Sequence, residues 1–141
     1  LKRKGAENIM TVRSDDGMDE FSTSSTNRVC ILRDDKVLMN AIDPEVVGLH
    51  KSSLRDIQIK TKQDAIESFV GVLNNTANQS MIETTALNAA GGLIVANIAD
   101  NFEQGVEIAL KTIKDGKAIS LLEKFVSETG DIEKLKEITN G

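Results

Sequence analysis

The chain has 141 residues, enough for one domain that buries roughly 70% of its unfolded surface, with 40% hydrophobic and 28% charged residues, the balance of an ordinary soluble globular protein. A net charge of −5, with no Trp or Tyr to stack on bases, argues against a nucleic-acid surface. No stretch is long and apolar enough to span a bilayer: the longest, Met81 to Ala99, is broken by Glu83, Asn88, Gly91, Gly92 and Asn97. The basic start, Leu1-Lys2-Arg3-Lys4-Gly5, has no apolar run behind it. The single cysteine, Cys30, cannot form an internal disulfide, which suits a reducing compartment, and the expectation is a cytoplasmic protein.

In chain order, Leu1 to Lys4 reads as a last helical turn closed by Gly5, and Asn8 to Arg13 as a short strand. Val29-Cys30-Ile31-Leu32 and Val37-Leu38-Met39, split by Asp34-Asp35, form a hairpin signal within Asn27 to Ile42. Asp43-Pro44-Glu45 marks a turn and a short helix start, and Lys51 to Lys60 shows no clear period. Thr61 with Asp64 resembles a capping pair ahead of a helix whose apolar face is Ile66, Phe69, Val70 and Leu73. Gln79 to Ala99 predicts a central helix apolar almost all round. Asp100-Asn101-Phe102-Glu103 reads as a capping box for the stripe Val106, Ala109, Leu110, Ile113, closed by Gly116. Ala118, Leu121, Leu122 and Phe125 form the next stripe, closed by Gly130, and Ile132, Leu135 and Ile138 the last. Strands therefore occupy mainly 8–42 and helices mainly 62–138, with no internal repeat and no low-complexity linker.

The residues that carry chemistry are Asp19 and Glu20, adjacent carboxylates in Gly17-Met18-Asp19-Glu20-Phe21-Ser22, on a connection between two strands and behind a glycine that permits a tight turn. Hard oxygen donors on such a loop suit Mg²⁺, which is commonly bound together with substrate phosphates. An acidic chain could approach an anionic phosphate through that cation, although a separate basic or backbone-amide cradle is not legible here. On spacing alone the dipeptide reads as a solvated acidic turn rather than a metal site, since Asp and Glu are common in loops. Cys30 lies within a strand and reads as a small apolar residue; His50, the only histidine, reads as a loop residue, and a multi-histidine metal site is excluded.

Three segments in order add to this reading: Gly17-Met18-Asp19-Glu20-Phe21-Ser22; Ile42-Asp43-Pro44-Glu45-Val46-Val47-Gly48-Leu49; and Leu87-Asn88-Ala89-Ala90-Gly91-Gly92-Leu93-Ile94-Val95-Ala96, followed by Phe102-Glu103-Gln104-Gly105-Val106-Glu107. Together they resemble the C-terminal part of the anthranilate phosphoribosyltransferases of tryptophan biosynthesis, and the resemblance runs along nearly the whole chain.

It implies an α/β fold: the C-terminal part of the large α/β domain of a nucleoside phosphorylase/phosphoribosyltransferase-type enzyme, a mixed sheet with helices packed on it. Residues 1–141 would be one domain fragment, lacking the N-terminal helical domain and the glycine-rich diphosphate-binding loop. The implied activity moves the phosphoribosyl group of phosphoribosyl diphosphate to anthranilate, in a homo-oligomer, with Mg²⁺ on the diphosphate held in part by Asp19 and Glu20. The resemblance assigns no catalytic residue to the other matched segments. Asn88-Ala89-Ala90 reads as close helix packing, and Gly91-Gly92 as a packing or bend site. Many relatives carry His-Gly where this chain has Arg13-Ser14; Arg13 could here pair with Asp15 or Asp16. A fragment of this kind is expected to be inactive alone and to self-associate through exposed strand edges. The competing readings are a pyrimidine nucleoside phosphorylase fragment and a non-catalytic interaction module of the same fold.

Overall fold

Period-two patterning in the N-terminal part of the chain forms a three-stranded sheet, β1 (Ile9–Ser14), β2 (Asn27–Arg33) and β3 (Lys36–Ile42), in the order β1-β2-β3. The computed structural model describes Gly5 and residues 7–139; the helical turn expected at Leu1 to Lys4 lies outside these residues. The register pairs Met10 with Ile31 and Val12 with Val29, and these side chains, with Ile42, pack against one core. A two-residue turn at Asp34-Asp35 joins β2 to β3, with φ of 49° and 61°. Positive φ at both positions matches the right-handed twist of the flanking strands, so the turn closes without the glycine that usually serves there. All three described strands are antiparallel and helices pack on them, consistent with the expected α/β fold; the mixed sheet was expected of the large α/β domain as a whole. A tight hairpin can only reverse the chain; parallel pairing needs a long crossover, and none joins strands among the described residues.

After β3 the chain makes the expected turn, and no helix starts there. Val46 N–H donates to the Asp43 carbonyl (3.2 Å) and Val47 N–H to that of Pro44 (3.3 Å). A one-turn 3₁₀ helix, Leu54–Ile57, occupies the stretch without clear period. Five α-helices follow: α1 (Lys62–Leu73), α2 (Gln79–Val95), α3 (Phe102–Lys114), α4 (Lys117–Thr129) and α5 (Ile132–Thr139). Thr61 and Asp64 form the capping box expected for α1. α2 stops earlier than expected, because Asn97 turns with φ of 57°. At α3 the cap is shifted by one residue: Asn101, not Asp100, accepts from the Gln104 N–H at 2.8 Å, while the Gln104 side chain accepts from the Asp100 N–H at 2.7 Å. Asparagine competes well with aspartate at this position, and packing of Phe102 selects between the two registers.

Two apolar clusters hold these elements. In the larger, Phe21, Val29, Val47, Leu49, Leu87, Ala90, Ile94, Phe102 and Val106 join the sheet to α2 and α3. Small residues set the α2–α3 spacing: a Cβ at Gly105 would meet the Ala90 Cβ at 2.8 Å, so the packing role expected for the Asn88-Ala89-Ala90 segment falls to Ala90. The smaller cluster ties α1, α4 and α5 together through Val70, Ile119 and Leu135. Here two expected stripes are rotated. Leu121 (70% exposed) and Phe125 (62%) face outward from α4, which buries Ile119 and half-buries Leu122 and Val126; on α1, Phe69 is exposed while Val70 and Val72 are buried. Both helices have apolar residues on more than one side, and the partner available in space chooses among them.

Candidate functional site

Asp19 and Glu20 lie on the connection between β1 and β2, as expected, and both are exposed. Among the described residues neither side chain has a hydrogen-bond or ion-pair partner, and no group of three or more His, Cys, Asp or Glu residues comes together in metal-binding geometry. The two carboxylates suffice for Mg²⁺ that is also held by substrate oxygens and water, the usual arrangement where phosphates bind, but not for an all-protein cage. The donor set therefore fits a metal shared with a ligand.

The residues around the pair are fixed. Gly17 turns the chain at φ +99°, as the sequence suggests. Just before the pair, Met18 is held twice: its N–H donates to Asp16 Oδ1 (3.1 Å), and its carbonyl accepts from the Ser14 N–H (3.0 Å). Just after it, Phe21 is held twice: its N–H donates to Asn88 Oδ1 (3.0 Å), and its carbonyl accepts from Asn88 Nδ2 (2.8 Å). The Phe21 ring is buried edge-on to Phe102, with centroids 5.2 Å apart. Gly91 makes room for it, since a Cβ there would sit 2.8 Å from the ring, whereas Gly92 meets open space. The packing role expected of the two glycines thus belongs to Gly91.

Two side chains fold the rest of the loop. Asp16 Oδ2 accepts from Ser22 Oγ at 2.6 Å and from Ser24 Oγ. Partial burial by itself would raise the Asp16 pKa; hydrogen bonds from Ser22, Ser24, the Met18 N–H and Ser14 outweigh it and bring the carboxyl down to about 2. Asn27, fully buried at the start of β2, accepts from the Ser22 N–H (2.7 Å) and donates to the carbonyls of Ser22 (2.9 Å), Ser25 (3.2 Å) and Ile42 (3.3 Å). Thr23 Oγ1 lies 2.7 Å from both Ser52 Oγ and Thr84 Oγ1, which joins the loop to α2. The run Ser22-Thr23-Ser24-Ser25-Thr26, five hydroxyl residues in succession, was the legible sign of this network. Asn88 had no such sign, because its partner is 67 positions away in the chain.

The remaining candidates fall elsewhere. Arg13 is not the partner of Asp15: Arg28, which lies opposite Arg13 on β2, pairs with that carboxylate through Nε and Nη2 at 2.8 and 3.0 Å. That hydrogen bond holds the Asp15 carboxyl below its ordinary value, with Arg13 adding only a weaker charge effect. His50 sits on a loop; its N–H donates to Glu83 Oε2 (2.8 Å), and its Nδ1 lies 2.7 Å from Oε1 of the same buried carboxylate. Gln79 Nε2 donates to the same Oε1 (2.8 Å) and lies 2.8 Å from Nδ1, and the three side chains together anchor the loop to α2. Cys30 is a half-buried strand residue. An apolar cleft of about 380 Å³ between β3 and the start of α3 is lined by neither Asp19 nor Glu20.

The chain is 87% identical, over all 141 residues, to the anthranilate phosphoribosyltransferase of Nitrosopumilus maritimus (strain SCM1), and covers 40% of that protein. The solved anthranilate phosphoribosyltransferase of Thermus thermophilus superposes with a TM-score of 0.80 at 25% identity, over 89% of this chain and 36% of that one. The Saccharomyces cerevisiae anthranilate phosphoribosyltransferase in complex with PRPP and Mg has the same fold, with a TM-score of 0.73 at 21% identity, over 85% of this chain and 34% of that one. The chain thus spans about 40% of the length of the curated relatives it matches. Residues 1–119, which include the whole sheet, the acidic loop, α2 and α3, match the glycosyl transferase family, a/b domain, and the chain belongs to that family.

Proposed function

We propose that this chain is the part of an anthranilate phosphoribosyltransferase that presents one metal-holding acidic pair, Asp19 and Glu20, to phosphoribosyl diphosphate. The observation that carries the reading is the pair itself: two unpartnered, exposed carboxylates between backbone points fixed on both sides, in a chain 87% identical to a protein of that name. The yeast protein of the same fold, in its complex with PRPP and Mg, supports the choice of ion and ligand.

Charge builds on the departing diphosphate as the ribosyl carbon gains cationic character, and Mg²⁺ held by Asp19 and Glu20 would neutralise it. The contribution of this chain's own residues is placement. Asp16, Asn27 and Asn88 hold the loop so that the two carboxylates do not have to be ordered when the ligand arrives. The groups that bind anthranilate and cradle the phosphates belong, in this reading, to the remaining length that the relatives have, together with an N-terminal helical domain and a homo-oligomeric assembly. Turnover then needs that remaining length, and the isolated chain is inactive. A biosynthetic role of this kind suits a protein of the cytoplasm. The names of the relatives favour this reading over a nucleoside phosphorylase, and the unpartnered pair favours it over an interaction module.

The test follows loss of anthranilate fluorescence with phosphoribosyl diphosphate and Mg²⁺, using the full-length protein that carries this chain and its Asp19→Asn/Glu20→Gln variant. Turnover in the parent that falls at least about 100-fold in the variant is the expected result. A parent that leaves anthranilate unconsumed would remove the assignment.

A further inference from the structure

We infer that Asn88 is a positioning residue for the acidic pair: from the interior of α2 it clasps the Phe21 backbone on both its N–H and its carbonyl, and so sets where the Glu20 carboxylate stands. The inference rests on the metal role proposed for Asp19 and Glu20 and adds to it the residue that fixes their geometry.

An asparagine in the middle of a helix needs a reason. It lowers helix propensity, and its side chain competes for backbone hydrogen bonds that the helix already uses. Asn88 is far from either end of α2 (Gln79–Val95), so it caps nothing. Its amide is instead fully engaged. Oδ1 accepts from the Phe21 N–H at 3.0 Å, and Nδ2 donates to the Phe21 carbonyl at 2.8 Å and to the Thr84 carbonyl, one turn back in its own helix, at 2.9 Å. Those three bonds also settle which amide atom is which. A flipped side chain would set a donor against the Phe21 N–H and an acceptor against two carbonyl oxygens.

The bond to Thr84 locks the rotamer, so the clasp is rigid relative to α2. The helix is itself fixed nearby, at the Ala90–Gly105 crossing and where Gly91 meets the Phe21 ring. Asp19 and Glu20 therefore span the gap between two anchored residues, Met18 held by Asp16 and Ser14, and Phe21 held by Asn88. Removing the clasp releases one end of a two-residue span. Glu20, adjacent to the released residue, then samples positions that a metal with strict octahedral geometry does not accept. Partners that orient metal ligands typically matter by roughly 10–100-fold in metal affinity or activity.

The experiment titrates Mn²⁺, read as free ion by electron paramagnetic resonance, into the full-length protein in the presence of phosphoribosyl diphosphate. Mg²⁺ dependence of turnover is measured in parallel. Four variants are compared with the parent: Asn88→Ala, the isosteric Asn88→Asp, Asp19→Asn/Glu20→Gln, and Ile119→Ala, a truncation in the smaller apolar cluster, which does not include Phe21. Asn88→Ala should weaken Mn²⁺ binding roughly 10–100-fold and raise the Mg²⁺ needed for half-maximal turnover in proportion. Asn88→Asp, which keeps the acceptor but sets a carboxylate oxygen against the Phe21 carbonyl, should weaken it no less, and it serves in place of the alanine variant where that protein does not fold. Ile119→Ala should lower thermal stability while leaving Mn²⁺ affinity at the parent value. Parent-like Mn²⁺ affinity in the folded Asn88 variants overturns the clasp, as does an equal loss in Ile119→Ala. An acidic-pair variant that binds Mn²⁺ as the parent does instead overturns the metal site, and that outcome is separate.

Discussion

The two apolar clusters of this protein are organised in different ways. Around the larger one, the sheet, its acidic loop and α2 are held by buried and half-buried polar groups: Asn27 with four backbone bonds, Asp16 with its serines, Asn88 with Phe21. Among the described residues no buried side-chain polar atom lacks a partner. The smaller cluster, joining α1, α4 and α5, rests on three buried side chains, Val70, Ile119 and Leu135, with half-buried aliphatics around them. Directional bonds fix position as well as energy, whereas apolar contact mainly supplies energy. The polar region is built to place a loop; the helical layer is built to cover a surface.

That contrast can be broken experimentally. The largest effect should come from Asn27→Ala, which leaves the Ser22 N–H and three carbonyls without their partner inside the protein. A loss of about 3 kcal/mol in urea unfolding is expected, together with faster amide exchange at Ser22. A loss under about 1 kcal/mol would mean that water replaces the asparagine and that the loop is not held as described. Next, Ile119→Ala should cost about 2 kcal/mol by opening the smaller cluster. Exchange at the Phe21 amide should remain at the parent rate, because none of its anchors lies in α4. Acceleration at Phe21 would show that the two regions open as one unit.

The smallest effect is in pH. Asp16 titrates at about 2 in the folded protein, against an ordinary value of 3.8. A depressed carboxyl binds its proton more weakly when folded, so its contribution is complete above the unfolded value and is lost as pH falls through about 2. Because the group is partly exposed, solvent screening reduces that contribution to on the order of 1 kcal/mol. Asp16→Asn should therefore flatten the acid limb of the stability curve between about pH 4 and 2 by that amount. An unchanged acid limb would assign the loop's integrity to Asn27 and Asn88 alone.

Composition, period and turn residues marked the strands, the hairpin and five helices, because those signals are local. The start of β2 at Asn27, the Thr61–Asp64 cap and the Gly17 turn can each be argued from neighbours in the chain. The acidic pair was legible for the same reason, since adjacent carboxylates behind a glycine on a strand connection need no distant partner to be noticed. Several local signals were ambiguous, and the tertiary structure decided them. Helices α1 and α4 carry apolar side chains on more than one face, and only the packed neighbour selects Val70 over Phe69 and Ile119 over Leu121. Arg13 is the arginine near Asp15 in the chain, and the pairing of β1 with β2 brings Arg28 to it instead.

What the sequence alone determined is where the carboxylates are and which backbone forms surround them. What only the tertiary structure decided is how they are held. Asn88 reaches Phe21 across 67 positions, Gly91 makes room for its ring, and Thr23 finds Thr84 on the same helix. Those contacts depend on the loop being folded against α2, and a hydrogen bond between residues so far apart in the chain leaves no periodic trace for either of them to show.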